Sequence, residues 1–264
     1  MISILISNDD GIQAKGIQTL IKHLAPLHDV YVVAPAREQS AMGHALTLNT
    51  PLRIDEYPLE HPVKASYAVS GTPSDCVKLA LSKLLTAPID VVISGINHGP
   101  NLGRDVVYSG TVSAALEGSL FGKPSIAVSL LNGHVAGANF HPSATFIAEN
   151  LEKLLALPVP HDTVLNINTP AVPLADFCGV KVCELGKRMY IDSYEQRQDP
   201  RGVTYYWLAG ELVAHGSSED VDVEAIRCNY VTLTPLHVNL CNPKALDSLR
   251  QLQNENGNHN NTII

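Results

Sequence analysis

The sequence predicts an α/β protein: a Rossmann-like, doubly wound, mostly parallel sheet with a C-terminal β-hairpin and helix extension. Three observations predict it. Short Val/Ile-rich runs alternate with segments of helical apolar spacing through the first two-thirds of the chain. Those runs are continuous rather than alternating, as in strands buried on both faces. And the alternation of strand with helix implies right-handed crossovers between parallel strands.

Taken in order, Ile2 to Ser7 reads as the first strand, and Ile17 to Leu24 has helical spacing. Val30 to Ala34 is a strand closed by Pro35, and Ser66 to Val69 another. Thr72-Pro73-Ser74-Asp75 opens an amphipathic helix to Leu85, with a capping Thr, Pro at the first helical position and an acid in the first turn. Ile89 to Ser94 is a continuous apolar strand, Thr111 to Phe121 a helix, and Ser125 to Leu130 a strand. Pro142 to Leu155 is helical, and Val164 to Ile167 strand-like. After about Lys181 the pattern changes: Tyr205-Tyr206-Trp207 and Tyr230 to Thr234 read as strands of a more irregular extension. The chain is therefore read as a single domain, 1–264, with a core over about 1–180 and an extension over about 181–250. The Asn-rich tail 251–264 has little to bury and is expected to fray, and the Asn260-Asn261-Thr262 sequon in it reads as a chance match.

Composition narrows the function. With 45% hydrophobic and 17% charged residues, the 264-residue chain has enough apolar material for a sizeable core. A net charge of -8 with no basic cluster argues against binding along a nucleic-acid duplex, which needs cations to displace counterions. It leaves open a small phosphate ligand met by a metal and backbone N–H groups. The five cysteines are scattered and form no C-x-x-C pair, so reduced thiols are expected rather than a disulfide framework or zinc site. The N-terminus lacks the basic start of a signal peptide, and no run is long enough to span a bilayer. A cytoplasmic protein is expected.

Ligands of an open parallel sheet sit beyond the carboxyl ends of its strands. The first strand exits into Asn8-Asp9-Asp10-Gly11. Two adjacent carboxylates raise each other's pKa unless something neutralises them, and oxygen ligands suit Mg²⁺, Mn²⁺ or Ca²⁺. Taken alone, the same residues fit a solvated helix-capping turn at least as well. The next exit carries Ser40 and His44, which have no marked signal by themselves. The exit 94–103 holds three glycines and two asparagines, Asn97 and Asn101, and suits a backbone that closely approaches a ligand. Asn97 offers a metal a neutral carbonyl oxygen, and Asn101 is placed with the substrate-binding residues. Ser109-Gly110-Thr111 opens a helix whose N-terminus forms a phosphate cradle, or else is a plain Thr cap. There is no G-x-G-x-x-G after the first strand and no G-x-S-x-G; the Gly118–Pro124 stretch has the wrong spacing for a P-loop.

Together these exits resemble the SurE family of survival-protein nucleotidases. The matching stretches are Ser7 to Gly11, Ser70 to Val77, Ser94 to Gly103 running into Asp105 to Ala115, then Gln198 to Gly202 and Thr234 to Val238. Arg227 to Tyr230 and Asp220-Val221-Asp222 depart from the family pattern in the extension. The resemblance implies one divalent cation per subunit, Mg²⁺ or Mn²⁺ with Ca²⁺ also fitting, held by Asp9, Asp10, Ser40 and Asn97 with water completing the shell. It implies hydrolysis of 5′- and 3′-nucleoside monophosphates, in some members also of polyphosphate. Dimers or tetramers with exchanged C-terminal segments are implied as well. Asp9, Asp10 and Asn97 are then the catalytic candidates, with Ser109 to Thr111 holding phosphate. Direct attack of water on phosphorus is expected; His98 is close enough in sequence to be a base, though a packed role suits it better. An aspartyl-phosphate route through Asp9 usually shows Asp-x-Asp, and a non-catalytic nucleotide-binding module would not need four oxygen ligands.

Overall fold

Strand β1 (Ser3–Ser7) is the pivot of the sheet because its side chains are buried on both faces. Ile4 and Ile6 point to one side, where helix α1 (Lys15–Leu24) packs through Ile17, Leu20, Ile21 and Leu24. Leu5 points to the other. Around β1 lie β2 (Asp29–Pro35) and β5 (Val91–Asn97), both parallel to it, with Ser7 opposite Ser94. The remaining strands are β3 (Ile54–Glu56), β4 (Ala65–Val69), β6 (Ser125–Leu130), β7 (Thr163–Thr169), β8 (Val180–Val182) and β11 (Val231–His237). Among the described residues nine strands form one sheet in the order β3-β4-β2-β1-β5-β6-β7-β11-β8. The computed structural model describes residues 1–215 and 220–256.

The helices divide between the two faces. Helix α4 (His141–Leu155) joins α1 on the Ile4 side, through Ala144, Ile147 and Leu151. Helices α2 (Pro73–Leu79) and α3 (Gly110–Leu120) cover the Leu5 side, where Cys76, Val77, Ala80 and Ala114 meet Val33 and Val92. The doubly wound expectation holds, and the order reverses beside β1, so the chain leaves β1 and β5 in opposite directions and opens a crevice between their exits. Two close approaches fix the crevice. A Cβ at Gly16 would lie 1.9 Å from the Ile96 carbonyl oxygen, so α1 touches the exit of β5. The β5–β6 register also shifts between Ser94 and Asn97, which re-aims the end of β5.

Most expected elements appear with boundaries moved by a few residues. Thr72 caps α2 as read, with the reciprocal Thr72–Asp75 bonds of a capping box, and the helix passes into a π-turn over Ala80–Leu84. The extension differs more. Its strand β11, over the stretch read as a strand of the extension, joins the main sheet antiparallel to β7, because Val231 and Leu233 complete the α1/α4-side core. Tyr205-Tyr206-Trp207 belongs to a long hairpin outside that sheet, β9 (Lys187–Gln198) with β10 (Thr204–His215), turned at Asp199–Gly202. Two short elements, β3 and α5 (Asp222–Arg227), were not expected. Nor was the reach of α6 (Pro243–Asn256), which carries helix into the stretch read as fraying; the sequon lies outside the described residues. None of the five cysteines is paired. Among the described residues no helix is long and apolar enough to cross a membrane.

Candidate functional site

Asp9 and Asp10 sit directly beyond β1 and face different neighbours. Asp9 continues the Leu5 and Ser7 side and meets the start of α3. Its Oδ1 accepts a 2.5 Å hydrogen bond from the Thr111 hydroxyl, and the Thr111 amide donates to it as well. Only glycine fits at Gly110, since a Cβ there would lie 2.7 Å from the Asp9 Cβ. The helix N-terminus, with its positive dipole end, thus lies against this carboxylate. Asp10 accepts from the His98 amide at 3.1 Å through Oδ2, and its Oδ1 is 3.7 Å from the His98 Nδ1.

Asp9 is buried, 4% exposed, and Asp10 is partly buried, its side chain 9% exposed. Burial raises the Asp9 pKa against the Thr111 bonds that lower it. Burial, then the neighbouring Asp9 charge, push Asp10 up to about 7. Among the described residues no Lys or Arg pairs with either one, and His98, itself held neutral by burial, does not supply a compensating charge. The local turn is held by Asn8, whose amide donates to the Gly11 carbonyl at 2.8 Å, while Asn8 Oδ1 is buried without a partner.

A cleft of about 620 Å³ opens over Asp10 and is lined by Glu38, Ser40, Asn97, His98 and His134. Asn97 donates through Nδ2 to the Gly99 carbonyl at 2.8 Å, which assigns its amide and keeps Oδ1 as the acceptor. The Ser40 segment is tied to Asp9 by the Gln39 amide, 2.7 Å from the Asp9 carbonyl oxygen, and the Ser40 hydroxyl donates to Glu38. Asp10, Ser40 and Asn97 therefore line one cleft, while Asp9, next to Asp10 in sequence, lies behind that lining and is tied to it through the Gln39 amide. Among the described residues no three His, Cys, Asp or Glu side chains gather as a metal site by themselves. The oxygen donors lining this cleft are the Asp10 and Glu38 carboxylates, the Asn97 amide oxygen and the Ser40 hydroxyl, with Asp9 beside Asp10, a set that fits a hard divalent cation retaining water. Two adjacent carboxylates with raised pKa and no Lys or Arg pairing with them among the described residues fit that charge.

The substrate-side residues are placed less openly. Asn101 is 5% exposed and does not line the cleft; its amide nitrogen donates to Ser129 Oγ, its N–H to Asn168, and its carbonyl accepts from Asn166 and Asn168. Asn101 fastens the 94–103 loop to the sheet. Ser109 Oγ accepts from the Val112 amide as the α3 cap, and Thr111 is engaged with Asp9. His98 packs on Phe140, ring centroids 5.0 Å apart. Sequence reasoning passed over Glu38, whose only signal was its place two residues before Ser40.

The family described as "Survival protein SurE" matches residues 4–192. The chain belongs to the SurE family. A 5′-nucleotidase SurE from Trichormus variabilis is 49% identical over 257 residues, spanning 93% of this chain and 96% of that one. One from Syntrophomonas wolfei is 45% identical over 248 residues, 94% and 93% of the two chains. The crystal structure of the SurE protein from Aquifex aeolicus is similar with a TM-score of 0.82 and 39% identity, over 95% of this chain and 99% of the other.

The raised Asp10 pKa gives a signed prediction for metal-free protein. Below about pH 4 both folded and unfolded chains hold the proton. As pH rises to about 7 only the folded chain keeps it, so stability falls through that window and stays reduced above it. In EDTA, Asp10→Asn should match wild type at pH 4 and exceed it at pH 8 by on the order of a few kcal/mol in urea unfolding. A difference that does not change with pH would contradict the assignment.

Proposed function

We propose that the chain is a divalent-cation-dependent phosphomonoesterase that hydrolyses nucleoside 5′-monophosphates to nucleoside and phosphate. The observation that carries the reading is the adjacent Asp9–Asp10 pair, Asp9 buried and Asp10 lining a cleft at the sheet's switch point, with no Lys or Arg paired to either among the described residues. The printed names of the relatives, 5′-nucleotidase SurE, support the substrate class. The same reading extends to 3′-monophosphates and short polyphosphate, which present the same terminal phosphoryl group.

Asp9 and Asp10 would anchor one Mg²⁺ or Mn²⁺ per subunit, with Ser40 and Asn97 as neutral ligands; Ca²⁺ suits the same donors. When bound, such a cation polarises a phosphoryl oxygen and lowers the pKa of water. The chain's own residues do the rest. Thr111 holds the Asp9 carboxylate in one orientation, which makes Asp9 a fixed anchor and a poor nucleophile for an aspartyl-phosphate route. Ser109 and Gly110 sit at the positive end of α3, whose backbone N–H groups would favour the incoming phosphate's charge. The His98 amide fixes Asp10, and Asn101 holds the loop that presents Asn97. In the reaction the water oxygen bonds to phosphorus as the phosphorus–ester oxygen bond breaks, and the proton lost by water balances the one gained by the leaving oxygen. Charge neutralisation and positioning supply most of the acceleration in such transfers.

Self-association belongs to the same reading. On the β9–β10 hairpin Tyr206 and Leu208 share one face and Trp207 stands on the other, each 60–68% exposed, apolar surface that a second subunit would cover. Light scattering should return a dimer or tetramer; a monomer at micromolar concentration would remove this part.

Phosphate release from a panel of nucleoside monophosphates tests the whole. EDTA-treated protein should be inactive and recover with Mg²⁺ or Mn²⁺, and Asp9→Asn should lose roughly 10²-fold or more in turnover. Full activity in EDTA, or near-normal activity of folded Asp9→Asn, would overturn the reading.

A further inference from the structure

The segment from Ala36 to Pro51 that carries Ser40 contains no regular helix or strand, and Ser40 itself is exposed. Its conformation is not one the chain adopts freely. Ala41 sits at φ 58°, in the left-handed region that a residue with a Cβ adopts only under constraint, and Gly43 follows at φ 55°. Something outside the segment must hold this turn in place.

Three contacts bracket it. The Gln39 amide donates to the Asp9 carbonyl at 2.7 Å, and the Gly43 amide to the Tyr108 carbonyl at 3.0 Å. The third is the side-chain contact between His44 Nε2 and Glu117 Oε2, at 2.8 Å. Glu117 is 2% exposed on α3 and has no part in the reaction. It stands seven residues from Gly110, on the same face of the helix whose first turn holds Asp9. Its other oxygen takes a 2.9 Å bond from Lys78 of α2. Burial alone would raise the Glu117 pKa; the bonds from His44 and Lys78 outweigh it and hold the carboxylate below its ordinary range. Lys78 already balances the charge. The His44 bond therefore supplies what Lys78 does not, a direct tie between the Ser40 turn and the helix that orients Asp9.

We propose that His44 and Glu117 are a positioning couple that holds the Ser40 turn over the Asp9–Asp10 pair, so that one helix, α3, sets both sides of the cation site. The proposal rests on the reading of that pair as a cation site. Because Glu117 keeps Lys78 when His44 is removed, His44 can be changed without leaving a buried charge alone.

The test uses the full-length chain and direct Mn²⁺ binding, read from the electron paramagnetic resonance of free Mn²⁺, with thermal unfolding in EDTA alongside. His44→Ala should weaken Mn²⁺ binding roughly 10-fold, the size expected when a residue orienting a ligand is lost. The metal-free Tm should move by no more than about 4 °C, the scale of one lost hydrogen bond, since Lys78 still balances the Glu117 carboxylate. His44→Gln, whose side-chain amide can still donate to Glu117, should bind within about threefold of wild type, since its donor is kept. Adding His44→Ala to Ser40→Ala should cost no further affinity, because His44 acts through Ser40. Unchanged Mn²⁺ affinity in His44→Ala, or an equal loss with and without Ser40→Ala, would overturn the positioning role. Wild-type affinity in both Ser40→Ala and Asp9→Asn would instead overturn the cation site beneath it.

Discussion

Two carboxylates on consecutive residues at the exit of a strand enclosed on both faces, Asp9 buried and Asp10 partly so, and without a Lys or Arg partner among the described residues, are the constraint around which this structure is arranged. Strand alternation sends them apart. Asp9 turns to the α3 side and Asp10 toward His98, so each meets backbone or side-chain donors of a different element. Those donors lower the cost of burial without removing it, and both acids stay above their ordinary pKa. A fold that withdraws such a pair from most of the solvent holds a site primed for positive charge.

Other buried carboxylates hold the loops around that pair. Asp75 caps α2 and also accepts from the Thr47 amide, downstream of the Ser40 turn. Glu117 holds His44. Asp222, fully buried, accepts from the amides of Gly103 and Gly186 at 2.8 Å each, tying the end of the 94–103 loop to the extension. Loops that would otherwise move are thereby fixed to helices, which is what a site needing sub-ångström placement of oxygen ligands requires. The extension is thus part of the site's support, since both Asp222 and β11 belong to it.

Most of the sheet was legible because its strands are buried on both faces, and continuous Val/Ile runs such as Val91 to Ile93 have few other uses. The carboxylate pair by itself fitted a solvated capping turn, and it was legible as a site only through the resemblance of the stretches around it. Asn101 was not. A buried amide fastening a loop and an exposed amide meeting a ligand leave the same letter in the sequence, and only its bonds to Ser129, Asn166 and Asn168 separate them. Thr111 is similar, since its partner Asp9 lies 102 residues away. The Glu117–His44 tie spans 73 residues and carries no motif. The place of β11 depended on an antiparallel return to β7 that short alternating runs do not specify.

Because the account turns on a buried carboxylate pair that holds its proton until a cation replaces it, proton release on metal binding is its most direct measure. Calorimetric titration of Mn²⁺ at pH 6, repeated in buffers of different ionisation enthalpy, counts the protons displaced. The account predicts roughly one proton per cation at pH 6, falling toward zero by about pH 8.5 as Asp10 ionises beforehand. Binding with no proton release at pH 6, or release that does not change with pH, would contradict it.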